Sequence, residues 1–136
     1  MMTPFGPQLI GETEKTLGAI LRRVLQGTGV SGPQWVTLRL AAQLDEVDRR
    51  AFVIALTDRA HFTDAAQLVD QLTERGLLEG GQLTAKGRDL IETVQTVIAE
   101  TTAPIWHDLT TDDVVATERL LNEILRRGRH ALANTQ

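Results

Sequence analysis

Apolar residues recur at helical spacing along most of the chain, and this pattern predicts a mostly α-helical protein. Apolar side chains recur three, four and seven residues apart, which places them on one face of each helix. Glycines, prolines and charged runs separate the amphipathic segments. Six helices are predicted, at about residues 9–25, 31–44, 51–56, 63–75, 85–102 and 111–133.

A short hairpin is predicted between the fourth and fifth helices, in the stretch "LLEGGQLT". Gly76 ends the helix before it, and Thr84 caps the helix after it. Gly80 and Gly81 accept the positive φ angles that tight hairpin turns require. We therefore expect two very short strands within about Leu78–Leu83.

Several residues predict where the other helices begin or end. Thr63 or Asp64 is expected to cap the fourth helix, and Thr111 or Asp112 the last one. Pro104 is expected to break or kink the fifth helix, because proline has no backbone N–H to donate.

Length and composition fit a single soluble domain. The chain has 136 residues, of which 42% are hydrophobic and only 4% aromatic, and its formal net charge is −4. It has no cysteine, no apolar run that approaches about 18 residues, and no signal-like start, so a cytoplasmic protein without membrane contact is expected. The bulk charge does not favour nucleic acid, so any DNA-binding surface must be a local basic patch.

Residues suited to catalysis or metal binding are scarce. His61, His107 and His130 lie far apart and show no zinc-ligand spacing, and Ser31 is the only serine. No glycine-rich loop in a phosphate-binding pattern follows a strand. We therefore expect no enzymatic activity, no metal and no cofactor.

The long first helix and the last two helices carry more apolar surface than one small core can cover. Because two-fold homodimers are the commonest assembly, these helices are expected to interlock with those of a second copy. The alternative is that the stripes pack within a monomeric bundle. The expected interface residues are Leu17, Leu21, Leu120, Leu121 and Ile124.

The order and spacing of these segments resemble one known family. "LGAILRRVLQGTGVSGPQWVTLRLAAQL", "LVDQLTERGLLEGGQLTAKGRDLIETV" and "IWHDLTTDDVVATERLLNEI" follow one another over nearly the whole chain. The most legible element is "LV-x-x-L-x-x-x-GL" followed by "LT-x-x-G". In this order they resemble the multiple antibiotic resistance regulator (MarR) family.

The resemblance implies a fold and a function. The fold would be a winged helix-turn-helix with a very short two-stranded wing, flanked by long N- and C-terminal dimerisation helices. It would form one domain over residues 1–136, with dimerisation helices at about 9–28 and 91–133 and the winged part at about 32–90. The implied function is a homodimeric regulator that binds double-stranded DNA, often a repressor released by a small molecule.

The resemblance also assigns the helix at about Thr63–Arg75 to the major groove. Thr63, Asp64, Gln67 and Gln71 would then face base edges. Gln67 and Gln71 lie one turn apart, and glutamine can pair bidentately with adenine. The alternatives are two ordinary surface glutamines and, for Asp64, a helix cap, which we favour.

Charge and wing length both depart from the family pattern. From Asp45 to Arg75 there are seven acidic residues against four arginines, a net charge of −3. DNA binding therefore requires the cations to gather on one face. The phosphate-contact candidates are Arg49, Arg50, Arg75, Lys86 and Arg88. For Lys86 and Arg88 the alternative is a solvated helix start.

Family wings carry an acidic residue and an arginine that enters the minor groove. Here the wing tip is only Gly80, Gly81 and Gln82, so no minor-groove readout is expected.

The two tryptophans are the candidates for a ligand site. In the MarR architecture Trp35 and Trp106 would lie near the junction of the dimerisation helices and the winged part, with His107 as a polar lining group. The alternative is that each tryptophan belongs to the core. Two other functions stay open: a winged-helix dimer used as a protein-interaction scaffold, and a small-molecule carrier without a DNA role.

Overall fold

The computed structural model describes residues 2–135, which form six helices and one two-stranded antiparallel sheet. The elements are α1 Pro7–Leu25, α2 Gly32–Gln43, α3 Arg49–Ala60, α4 Ala65–Glu74, β1 Leu78–Glu79, β2 Gln82–Leu83, α5 Ala85–Trp106 and α6 Thr111–Ala133. The chain divides into two compact units, one up to Thr101 and one from Thr102 onward. Within residues 2–135, no helix is both long and apolar enough to cross a membrane.

Polar side chains fix the starts of α2 and α3. The Ser31 hydroxyl accepts from the Gln34 backbone N–H at 3.2 Å, and the Gln34 side chain accepts from the Ser31 N–H at 3.1 Å, which completes a capping box. Asp48 accepts from the Ala51 N–H at 2.8 Å and starts α3. The helix is longer than the predicted 51–56 at both ends: the Asp48 cap, which belongs to the charged run, moves its start to Arg49, and the helix continues to Ala60.

The core of the first unit forms where α2, α3, α4 and the hairpin meet. Its fully buried side chains include Leu38, Phe52, Leu56, Val69 and Leu72. Two of these come from α4, whose predicted apolar face is buried along its whole length. The opposite face of α4 is consequently directed to solvent.

A glycine closes the C-terminal end of α4. Gly76 has φ +76°, which allows its N–H to bond the Thr73 carbonyl at 3.0 Å, and the Leu77 N–H reaches the Leu72 carbonyl at 3.0 Å. This pair of bonds is a Schellman motif. The chain is thereby turned directly into the hairpin.

The hairpin has the predicted position and is as short as expected, with Leu78 paired to Leu83 and Glu79 to Gln82. Its two glycines have different roles. Gly80 has φ +63° and makes the turn, whereas Gly81 has no positive φ and is buried. A Cβ on Gly81 would lie 2.5 Å from the Val47 carbonyl oxygen. The tip of the wing therefore packs against the start of α3.

Two predictions about the C-terminal part were wrong. The predicted end of α5 near Thr102 was too early: the helix continues through Pro104 to Trp106, since proline can take helical φ angles and here lies in the last turn, where few further helical bonds depend on it. The cap of α6 is Thr110, whose hydroxyl accepts from the Asp113 N–H at 3.3 Å, rather than Thr111 or Asp112.

The second unit consists of the last turn of α5 and the whole of α6. No side chain of α6 is buried. Its acidic first turn suits the positive end of the helix dipole. Arg126 donates to Glu123, and this hydrogen bond lowers the pKa of that carboxyl. The apolar stripe of α6 is between 42% and 52% exposed at Val114, Val115, Leu120, Leu121 and Leu125.

We expect Gly81→Ala to lower the free energy of unfolding by about 1–3 kcal/mol, because the added methyl group overlaps the backbone before α3. Urea denaturation at a fixed protomer concentration measures the change. Gly32→Ala is the matched control: no atom lies within 4 Å of its Cβ position, so a change of about 0.5 kcal/mol or less is expected. Equal stability of Gly81→Ala and Gly32→Ala would contradict this packing.

Candidate nucleic-acid interface

The exposed face of α4 is polar and contains no lysine or arginine. Gln67, Asp70, Gln71 and Glu74 are exposed there, while the opposite stripe is buried. In a helix-turn-helix arrangement the second helix lies in the major groove, and α4 follows α3 in that order. The candidate interface is therefore this face of α4 and the cations around it.

Gln71 is bonded to α2 rather than free. The Gln34 Nε2 donates to the Gln71 Oε1 at 3.1 Å. Gln34 is itself held by the capping box of α2. No sequence motif singled out Gln34 as a neighbour of α4, because the two glutamines lie 37 residues apart.

Arg49 forms an ion pair with α4. Its Nη2 lies 2.9 Å from Asp70 Oδ1, and the two side chains are 48% and 61% exposed. An ion pair this exposed stabilises the fold by only about 0–1 kcal/mol. Its larger effect is on charge, since Asp70 neutralises a cation that was expected to contact phosphate.

Arg75 and Lys86 hold the end of α4 in place. The Arg75 guanidinium donates to the Gly29 carbonyl at 2.7 Å, which ties α4 to the turn after α1. The Lys86 ammonium donates to the Arg75 carbonyl at 3.0 Å, at the negative end of the α4 dipole. Both cations keep their charge, but their hydrogen bonds serve the protein itself.

Arg88 and Arg50 complete the set of expected phosphate contacts. The Arg88 guanidinium donates to the Leu83 carbonyl in the wing at 3.2 Å. Arg88 also lines an open cleft of about 680 Å³ between α2, the wing and α5, beside Asp45, Glu46 and Glu92. Within residues 2–135, Arg50 has no side-chain partner. Among the residues that the structure describes, four of the five candidates therefore bond protein oxygens, and Arg50 does not.

The remaining base-reading candidates lie at the start of α4. Thr63 and Asp64 are exposed in the turn before the helix, and Gln67 is exposed in its first turn. Asp64 occupies the cap position, but its side chain makes no capping hydrogen bond. The predicted cap position of Asp64 is therefore confirmed, but its side chain does not do the capping, because its ψ of 30° departs from the extended backbone that capping residues usually adopt.

The wing residues do not form an extended arm. Gly80 and Gln82 are exposed, and Gly81 is buried against α3, so the tip is held close to the body of the first unit. The lack of minor-groove readout stays a prediction.

The ligand-site candidates fall in different units. Trp35 is 3% exposed in the core of the first unit, which fits the core alternative. Trp106 is 55% exposed, and its indole N–H donates to the Thr102 hydroxyl at 3.1 Å. His107 lies 3.3 Å from the Asp108 carboxylate. In the described part of the chain, no group of three histidine or acidic side chains could hold a metal ion.

The dimer-interface candidates lie on α1 and α6. Leu17 and Leu21 are half-buried, as is Ile124, while Leu120 and Leu121 are 46% and 42% exposed. Apolar surface at this exposure is available for contact with another chain.

The helix-turn-helix order of α3 and α4, followed by a two-stranded wing, defines a winged helix-turn-helix protein. A family model described as "Helix-turn-helix family" matches residues 20–134, so the chain belongs to this helix-turn-helix family. A search of curated protein sequences found no match.

Solved structures of MarR-family proteins share the fold. CouR from Rhodococcus jostii RHA1, solved bound to p-coumaroyl-CoA, aligns with a TM-score of 0.70 at 21% identity, covering 85% of this chain and 88% of that one. The Mycobacterium tuberculosis MarR family protein Rv2887, solved in complex with DNA, aligns with a TM-score of 0.68 at 22% identity. The alignment covers 90% of this chain and 98% of that one.

NadR, solved in complex with 4-hydroxyphenylacetate, aligns with a TM-score of 0.72 at 21% identity, covering 90% of this chain and 96% of that one. At these identities the likeness shows the fold. The predicted MarR-type winged-helix fold with a short wing is thereby confirmed.

We expect Asp70→Asn to strengthen binding to duplex DNA of mixed sequence, because the change removes an acid from α4 and releases Arg49 for a phosphate. The slope of log affinity against log salt should steepen by about 0.9, the contribution of one phosphate contact. Fluorescence anisotropy across a salt series measures it.

Asp58→Asn is the matched control, since it removes the same charge from α3 at an exposed position without a basic partner in the described chain. It should raise affinity less and leave the slope nearly unchanged. An unchanged slope in Asp70→Asn would show that Arg49 does not reach DNA.

Proposed function

We propose that this protein is a cytoplasmic, non-enzymatic transcriptional regulator that binds double-stranded DNA through α4. The observation that carries the proposal is the exposed polar face of α4, held by a winged-helix core. Membership of a helix-turn-helix family and the fold shared with the DNA complex of Rv2887 support it. Gln67 and Gln71 are the base-reading side chains, with Thr63 and Asp64 at the edge of the contact.

The same proposal assigns the phosphate contacts. Arg50, on α3, has no side-chain partner within residues 2–135, and Arg49 becomes available if DNA displaces Asp70 from its ion pair. Arg88 lies beside the wing, where its guanidinium can leave the Leu83 carbonyl and bind a phosphate instead. Lys86 and Arg75 contribute charge while they hold the end of α4.

Selection from a randomised duplex pool, followed by anisotropy on the selected sequences, tests DNA binding directly. A pseudo-palindromic sequence should be enriched, and its affinity should fall steeply as salt rises. Its occurrence upstream of the protein's own gene would fit a repressor. Failure to enrich any sequence at low ionic strength would contradict the proposal.

We also infer a homodimer, organised by α1, the end of α5 and α6, that spaces two recognition helices by about 34 Å, one turn of DNA. The exposed stripe of α6 supports it, because apolar side chains on a long helix are stabilised when a second copy covers them. On this proposal residues 1–136 form one MarR-like domain, and the two compact units are its parts.

We expect Leu121→Glu to give a monomer with much weaker affinity for a two-half-site duplex, because a charge is placed within the apolar stripe. Light scattering after gel filtration measures the mass, and anisotropy measures the affinity. Asn122→Glu is the control, since it introduces the same charge at the neighbouring polar position and should remain a dimer. A wild-type monomer would contradict the dimer directly.

A small apolar effector that releases the DNA belongs to the same proposal. NadR and CouR were solved with small or acyl ligands, which supports an effector for this fold. In this chain, the exposed indole of Trp106 and the adjacent His107 are the side chains suited to contact it, and the buried Trp35 would act only through packing.

One observation favours a second function. The exposed face of α4 carries Asp70 and Glu74 and no cation, which suits a basic polypeptide better than a phosphate backbone. The alternative is a winged-helix dimer that serves as a protein-interaction scaffold. In the selection experiment, a scaffold would enrich no sequence, whereas it would bind a partner polypeptide in a salt-sensitive manner.

A further inference from the structure

A chain of hydrogen bonds that begins at the backbone of α2 orients the Gln71 amide. The Ser31 backbone N–H can only donate, so the Gln34 atom 3.1 Å from it must be the acceptor Oε1. The other end of the same amide, Nε2, is therefore the atom that faces α4.

The second bond in the chain transfers this constraint to the recognition helix. An amide nitrogen only donates, so the Gln71 atom 3.1 Å from Gln34 Nε2 must be the acceptor Oε1. The Gln71 Oε1 is thus turned toward α2. Its Nε2, with both N–H groups unused within residues 2–135, is left for the solvent side.

This orientation changes what Gln71 can read. Bidentate pairing with adenine needs one donor and one acceptor from the same amide, and the acceptor is already engaged by Gln34. An amide that presents two N–H groups suits a base with two adjacent acceptors. In the major groove only guanine has that pattern, at N7 and O6.

We propose that Gln34 is a specificity-determining residue that holds the Gln71 amide with its donor end outward, so that Gln71 reads guanine rather than adenine. The proposal rests on the DNA-binding function proposed above. Gln34 acts as a positioning residue, since it contacts Gln71 and not the base.

Gln34→Glu tests the orientation without removing the helix cap, because glutamate also completes a capping box at this position. One carboxylate oxygen accepts from the Ser31 N–H, and the other can only accept. Gln71 must then donate its Nε2 to Glu at position 34 and present Oε1 outward. The base preference should move from guanine to a base with an amino donor, cytosine or adenine.

Selection from a randomised duplex pool, with wild type and Gln34→Glu in parallel, measures the change. We expect about a ten-fold shift in the ratio of guanine to cytosine or adenine at one position of each half-site. Solvent exchange of the side-chain amides, followed by NMR in the free protein, should show the Gln71 amide protons exposed in wild type and protected in Gln34→Glu.

Two controls distinguish the effect of the Gln71 amide orientation from the effect of the added negative charge and from the loss of the Gln71 contact. Gln43→Glu adds the same charge to an exposed position of α2 and should weaken binding without changing the preferred base. Gln34→Glu combined with Gln71→Ala should show no preference at the affected position.

The outcomes are distinct. If wild type enriches a sequence but Gln34→Glu enriches the same one, the role of Gln34 is overturned while DNA binding stands. Exposed Gln71 amide protons in Gln34→Glu also overturn it. If wild type enriches no sequence, DNA binding fails, and the readout by Gln71 fails with it.

Discussion

Burial of the apolar stripe of α4 is the constraint on which the candidate interface depends. Val69 and Leu72 are fully buried, and each contributes about 1.5–3 kcal/mol when removed from water. A helix of ten residues is marginal in isolation, so packing decides that α4 forms at all. The same packing decides which face of α4 meets solvent.

Polar contacts then hold α4 from several directions, and they involve the groups that DNA would need. Gln34 bonds Gln71, Arg49 pairs with Asp70, and Lys86 caps the carbonyl end. Each of these exposed bonds is weak by itself. Together they orient the helix, while the cations near α4 donate hydrogen bonds to groups of the protein itself. This arrangement orients α4 and leaves fewer unbonded N–H groups for a phosphate, while only Arg49 has its charge neutralised by an acid.

The wing is also held against the protein rather than extended from it. Gly81 allows the hairpin tip to touch the backbone before α3, an approach that any side chain would prevent. A tip packed in this way closes the core and stays close to the body of the first unit. In the proposed function, specificity therefore depends on α4 and on the residues that orient it.

Sequence periodicity determined the number and order of the helices, the position of the two-residue strands and the buried face of α4, because local propensity and a 3.6-residue repeat act within one segment. Local rules were less successful at helix ends: Pro104 continues a helix, and Thr110 is the cap before α6.

The candidate phosphate residues were visible as charges in the sequence, whereas their partners were not. Gln34 and Gln71 meet across 37 residues, and Arg49 meets Asp70 across 21. Only the tertiary structure decided these pairings, since hydrogen bonds depend on distances that packing of separate helices sets.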